Sequence, residues 1–87
     1  MKIFTTSKFR KSYIKLPKRI KNQAKAKEEI FRNNPFDSRL ETHKLHGKYK
    51  NYWTFSIDNS YRIMFKFLKS DGGEVAFINI GTHEIYK

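Results

Sequence analysis

The spacing of apolar and polar positions changes character along the chain, and each change marks an element. Met1-Lys-Ile-Phe-Thr5 alternates briefly, with Ile3 turned one way and its neighbours the other, and reads as a short first strand. Ser7 then offers a helix N-cap. Phe9, Tyr13 and Leu16 fall on one face while Lys8, Arg10, Lys11 and Lys15 lie elsewhere, which predicts an amphipathic helix ended by Pro17. Ile20, Ala24, Ile30 and Phe31 give a second helix its buried stripe, with Lys27, Glu28 and Glu29 at its solvent edge, and Asn33-Asn34-Pro35 stops it. The joint at Pro17 is too short for a crossover, so the two helices form an αα-hairpin.

Phe36 to Asn51 has no clear period and contains Gly47, so it reads as a loop of about a dozen residues or more, a length that in a small domain points to function. Tyr52 to Ile57 alternates, with Trp53, Phe55 and Ile57 on one face and Tyr52, Thr54 and Ser56 on the other. Asp58-Asn59-Ser60 is a hairpin turn. Tyr61 to Phe67 alternates again, with Tyr61, Ile63, Phe65 and Phe67 opposed to Arg62, Met64 and Lys66. The mostly apolar run Val75 to Ile80, opened by Asp71-Gly72-Gly73, predicts a last strand buried on both faces. The order strand, two helices, three strands defines an α+β fold: a short N-terminal strand and a basic helical hairpin packed on an antiparallel sheet of three further strands, all within one domain, residues 1–87.

Composition adds the nature of the core and of the partner. Eight Phe, five Tyr and one Trp in 87 residues predict a core built from large rings. The absence of cysteine excludes disulfides and thiolate metal sites, and with no signal peptide or run near the ~18 apolar residues of a membrane span the expected location is the cytoplasm, with no membrane contact. Lys and Arg number 19 against 8 Asp and Glu, a net charge of +11. All of the excess is N-terminal: Met1 to Lys27 holds ten basic residues and no acidic one, whereas Asn51 to Lys87 holds four of each. A field of one sign steers polyanions, so the partner is an acid, nucleic acid above all.

Candidate chemistry gathers at three places. The last strand delivers His83 from a rigid scaffold, past Gly81, with Tyr86 three residues on. Arg62 points to the sheet face away from the helices, beside Ser56 or Thr54 on the neighbouring strand, unless it pairs with Asp58 or Glu74. The long loop carries Glu41, His43, Lys44, His46, Lys48 and Lys50. A zinc site of Glu41, His43, His46 and His83 is possible by count, but no spacing matches a closed site, so no metal is expected.

The basic helical hairpin, His43-Lys-Leu-His-Gly47, Tyr61-Arg-Ile-Met-Phe-Lys66 and Ile80-Gly-Thr-His-Glu-Ile-Tyr86 together resemble the RelE/ParE superfamily of toxins from type II toxin–antitoxin pairs, over essentially the whole chain. The ending is most similar to the mRNA-cleaving branch that includes YafQ and YoeB, and less to the gyrase-poisoning ParE branch. The resemblance implies a ribosome-dependent endoribonuclease acting on mRNA in the ribosomal A site, with no metal or cofactor, silenced by a cognate acidic antitoxin. Ser56 stands where YafQ-like members carry a histidine, and Glu41 falls about where YoeB-like members carry a glutamate if one gap is allowed.

RNA supplies its own nucleophile, the 2′-OH, so its cleavage needs only a base, an acid and positive charge at the phosphate. His83 can exchange protons near neutral pH and Arg62 can hold phosphate oxygens with two prongs. Glu41, His43 and His46 are each candidates for the base, Tyr86 for stacking on a nucleobase, and Lys44, Lys48 and Lys50 for RNA phosphates. Two other readings stand beside this one: a ParE-like protein that binds a topoisomerase without cleaving RNA, and a non-catalytic nucleic-acid-binding domain.

Overall fold

In the computed structural model, which describes residues 1–87, β1 (Lys2–Thr5) leads directly into α1 (Ser7–Ile14). Thr6, and not Ser7, is the cap: its extended backbone lets the hydroxyl accept the Phe9 amide at 3.0 Å, while Ser7 becomes the first helical residue. Lys15–Pro17 join α1 to α2 (Lys18–Asn33), and the Pro17 carbonyl accepts the amides of Ile20 and Lys21. Asn34 closes α2 in an extended conformation, as a residue preceding proline must. The helical hairpin is as the sequence predicts.

The segment between Phe36 and Asn51 is more ordered than a loop. A 3₁₀ turn at Ser38–Leu40, a two-residue strand β2 (His43–Lys44) and a second 3₁₀ turn at Gly47–Tyr49 follow one another. Leu40 and Leu45, both buried, pin it, and Lys27 on α2 donates to the Arg39 carbonyl. Only β2 adds to the sheet. With β3 (Trp53–Ser56), β4 (Tyr61–Phe67) and β5 (Glu74–Thr82) the sheet has five strands in the order β1-β5-β4-β3-β2, one more than the alternation predicts. β1 runs parallel to β5 and every other pair is antiparallel.

β5 departs from the expected strand buried on both faces. Val75 and Phe77 are buried while Ala76 and Ile78 are half-exposed, so the strand alternates. The register then slips: Phe65 pairs with Phe77 but Met64 pairs with Asn79, leaving Ile78 as an extra residue, a β-bulge. Adding one residue reverses the parity of all that follows, so Ile80, and not Asn79, joins Val75 and Phe77 in the core. α1 satisfies the groups that the bulge frees. The Thr6 hydroxyl donates to the Ile78 carbonyl at 2.7 Å, and the Asn79 side-chain oxygen accepts from the Ser12 hydroxyl and the Ile80 amide.

The core lies between the helices and the sheet. Phe31 of α2 is its hub, stacked on Phe55 at 4.7 Å between centroids and meeting Phe65 and Phe77 edge-on at 4.9 and 5.6 Å. All four rings are almost wholly excluded from solvent. Phe31→Ala should therefore lower unfolding free energy by about 3–5 kcal/mol in chemical denaturation. A loss below about 1 kcal/mol would show that neighbouring rings collapse into the space.

Candidate functional site

Strand register assembles the site on the sheet face away from the helices. Ser56 of β3, Arg62 of β4 and Gly81 of β5 form one cross-strand row, and His43 of β2, Thr54 of β3 and Met64 of β4 form the next. Two residues of strand separate the rows, on the order of 7 Å. The expectation that Arg62 faces away from the helices beside Ser56 holds. That face is partly closed, because Thr54, Ser56 and Met64 are buried, as is Leu45 beyond His43. The Thr54 hydroxyl oxygen is buried without a protein partner.

Arg62 is half-buried and held by backbone. Its Nη1 donates to the carbonyls of Asp58 at 2.8 Å and Tyr61 at 3.3 Å, which draws the guanidinium toward the β3–β4 turn. Nε and Nη2 have no protein partner, so one two-pronged edge of the fork stays free for an oxyanion. Neither carboxylate considered from the sequence pairs with it. Glu74 is 3.2 Å from Lys69, and the Asp58 carboxylate lies 3.7 Å from Arg19 of α2.

The Asp58 carboxylate instead builds the turn, accepting the amides of Ser60 at 2.9 Å and Tyr61 at 2.7 Å. These hold its pKa below the ordinary value: the Tyr61 amide foremost, against a desolvation that works the other way, then the Ser60 amide and the charges of Arg19 and Arg62.

β5 ends at Thr82, and His83 begins a terminal 3₁₀ turn, His83–Tyr86, in which the Glu84 amide donates to the Thr82 hydroxyl at 3.5 Å. The His83 side chain is 65% exposed, with Nε2 at 3.6 Å from the Glu84 carboxylate. It lies two positions beyond Gly81, the partner of Arg62, which puts the Arg62 and His83 Cα atoms on the order of 8 Å apart. Gly81 matters here for a reason the sequence does not show: a Cβ on it would lie 2.8 Å from the Ile85 side chain. The missing side chain lets the terminal turn fold back over β5. Tyr86 is half-buried in that turn.

The loop candidates separate. The His43 ring Nδ1 lies 3.0 Å from the Glu41 carbonyl, so Nδ1 carries the proton and Nε2 is left as an acceptor. Glu41, in the left-handed region with φ 52° at the end of the first 3₁₀ turn, contributes this carbonyl, and its exposed carboxylate makes no ion pair. His46 is exposed, just past β2, with no side-chain bond. Lys44 pairs in register with Trp53 and so belongs to the opposite face from His43. Lys48 and Lys50 flank Tyr49 in the second 3₁₀ turn. No group of three His, Asp or Glu side chains converges as a metal site.

Tyr49, Tyr52 and Lys66, which sequence reasoning passed over, continue this face beside Lys48. The Lys48 ammonium lies 5.2 Å from the Tyr49 ring centroid, the rings of Tyr49 and Tyr52 are 6.1 Å apart, and the Lys66 ammonium is 6.0 Å from the Tyr52 ring. Interleaved basic and aromatic residues over Lys48-Tyr-Lys-Asn-Tyr52 were the available signal.

The fold has close structural counterparts. No family model matches the chain, and no curated protein matches it in sequence. Among solved structures, YafQ from E. coli strain BL21(DE3) matches with TM-score 0.78 and 22% identity over 98% of this chain and 97% of its own; YafQ is also solved in the E. coli DinJ-YafQ toxin-antitoxin complex. The YoeB/ParE toxin from Agrobacterium tumefaciens matches with TM-score 0.79 and 20% identity over 95% and 99% of the two chains. The archaeal RelE-RelB complex from Pyrococcus horikoshii OT3 matches with TM-score 0.73 and 13% identity over 93% and 92%. The fold is that of the RelE/YafQ/YoeB-like toxins. The neighbours span nearly their full lengths on this chain, so the likeness is one of whole architectures.

The lowered carboxylates make acid stability testable. Asp37, held to about 2 by the Arg39 guanidinium and then by the Arg39 amide, and Asp58 both favour the folded state fully above the unfolded value near 3.8 and lose that contribution as pH falls through their lowered values. Melting temperature should thus fall from pH 5 toward pH 2, and Asp58→Asn should flatten the fall. An unchanged profile for Asp58→Asn would remove the turn from the account.

Proposed function

We propose that this chain is the toxin of a toxin–antitoxin pair and inhibits translation as an endoribonuclease that cuts mRNA in the ribosomal A site. The observation that carries the reading is the free Nε/Nη2 edge of Arg62, two residues along the sheet from His83 and on the same face as the acceptor nitrogen of His43. Those three supply the positive charge, the acid and the base that cleavage by a neighbouring 2′-OH requires. Full-length likeness to YafQ and the YoeB/ParE toxin supports the toxin role.

In this mechanism His43 Nε2 takes the proton of the 2′-OH, whose oxygen attacks the adjacent phosphorus. Arg62 steadies the equatorial oxygens of the pentacoordinate phosphorane with two parallel hydrogen bonds. The bond from phosphorus to the 5′-oxygen breaks as His83 gives that oxygen a proton. The products are a 2′,3′-cyclic phosphate and a 5′-hydroxyl. Glu41 orients the base through its carbonyl and His46 is a bystander. Tyr86, in the turn that carries His83, stacks on a base beside the reacting phosphate, and Lys48 and Lys50 neutralise neighbouring phosphates.

In a translation extract with labelled message, His83→Ala should slow cleavage by ~10² to 10⁴ at neutral pH while ribosome binding persists. Arg62→Ala should cost a comparable factor, and Arg62→Lys should recover little, because a point charge cannot replace a two-pronged contact. Undiminished cleavage by His83→Ala, or a 5′-phosphate product, would sink the mechanism.

The antitoxin is an acidic protein that covers the helical hairpin. A cleft of about 450 Å³ opens between α1 and α2, lined by Phe9, Tyr13, Ile14, Ala24 and Ile63 together with Arg10, Lys25 and one acid, Glu28. Ile14 is 68% exposed beside it, an anchor for apolar side chains amid the basic field. Affinity should fall between low and high salt, and the hairpin should gain protection from hydrogen exchange in the complex. Salt-independent binding with protection confined to the sheet would contradict this placement.

A further inference from the structure

Of the line Lys48, Tyr49, Tyr52, Lys66 only Lys48 enters the mechanism above, as a phosphate contact, and the residues come from a 3₁₀ turn, the approach to β3 and the far end of β4. Extending the pairing of Trp53 with Phe65 by one residue sets Tyr52 opposite Lys66, on the face that carries Thr54, Met64 and Arg62. Lys66 is four residues from Arg62 on one strand, so the line starts about 13 Å along β4 from the Arg62 Cα, on the side away from His83. Both tyrosines are half-exposed, both lysines are exposed, and neither lysine pairs with a carboxylate. No Asp or Glu occurs between Thr42 and Ile57, so nothing nearby repels a polyanion.

We propose that Tyr49 and Tyr52, flanked by Lys48 and Lys66, form a stacking platform for unpaired bases of the substrate strand just beyond the scissile phosphate. The inference rests on the reading of the site as one that cuts RNA. A base needs only a π face to stack on, so the platform accepts any sequence, and rings already attended by ammonium groups place a phosphate partner beside each stacked base. An exposed cation over a ring is held weakly, so each lysine can leave its tyrosine for a phosphate at little cost. The strand would then be gripped at Arg62 by its backbone and at Tyr52 by its bases, which fixes the reacting phosphate between two separate holds.

The test uses the full chain and a short 2′-O-methyl oligoribonucleotide, which cannot be cleaved because its 2′-oxygens are blocked. In fluorescence anisotropy, Tyr52→Leu and Tyr49→Leu should each weaken binding about 5- to 150-fold, and Tyr52→Phe should bind like wild type. The tyrosine variants should leave the log–log salt slope unchanged, whereas Lys66→Ala, an exposed change that does not touch the core, should flatten it by about 0.7. An oligomer with abasic sites should erase the difference between wild type and Tyr52→Leu. Equal binding by both leucine variants with melting temperatures like wild type overturns the platform, and so does a loss that persists on the abasic strand. Message cleavage in a translation extract separates the two readings. If wild type binds the oligomer through its tyrosines but never cuts, the nuclease reading fails alone; if it cuts and Tyr52→Leu binds and cuts equally, the platform fails alone.

Discussion

The hydroxyl of Thr6 makes two bonds at once, accepting the Phe9 amide that starts α1 and donating to the Ile78 carbonyl that the bulge sets free. That contact ties the first helix to the one irregular point of the sheet. Everything beyond Ile78 depends on it, since the bulge decides which side of β5 each later residue takes. Without the extra residue Asn79 would point into the ring cluster around Phe31 and Ile80 would leave it. Gly81 would no longer sit across from Arg62, and the turn bearing His83 would leave the sheet in another register. A single bulge thus serves the core and the candidate site together.

The molecule separates its two kinds of charge. The helices carry a large uncompensated basic surface, whereas the sheet face away from them carries few cations, each in a defined setting: Arg62 on backbone carbonyls, Lys48 and Lys66 against tyrosine rings. Asp58 is the hinge between these regions, because its carboxylate closes the β3–β4 turn and faces Arg19 at the start of α2. On the proposed reading the first surface meets a broad acidic partner and the second a strand held at particular points. Two partners of one sign can then use different faces of one small chain.

Periodicity made α2, β4 and the helical hairpin legible, because each repeats an apolar position often enough to exceed local noise. β4 shows this best: Ile63, Phe65 and Phe67 alternate over its whole length, and Tyr61–Phe67 is also its observed extent. A strand of two residues such as β2 has no period to detect, and it forms only because Leu45 is buried and its amide reaches the Tyr52 carbonyl. The bulge was equally hidden, since Ile78 and Asn79 read as consecutive positions of one apolar run. For the site, the hairpin turn was enough to set Arg62 beside Ser56. The approach of His43 to Thr54, and of Lys66 to Tyr52 and Tyr49, comes from tertiary pairing of segments that share no local pattern. Thr6 and Ser7 are adjacent residues of equal capping chemistry, and the Ile78 carbonyl settles the cap on Thr6.

β5 is the last strand to be made and also the one placed between β1 and β4, with Lys2 to Thr5 aligned on Glu74 to Phe77. A chain emerging from the ribosome therefore exposes Ile3 and the ring-bearing faces of its earlier strands with no central strand to close on. Contacts of such sequence separation carry a high loop-closure cost and form late. The order of synthesis thus holds the sheet open until residues 74–82 have been made, and neither the pairing of Arg62 with Gly81 nor the turn bearing His83 can form before then.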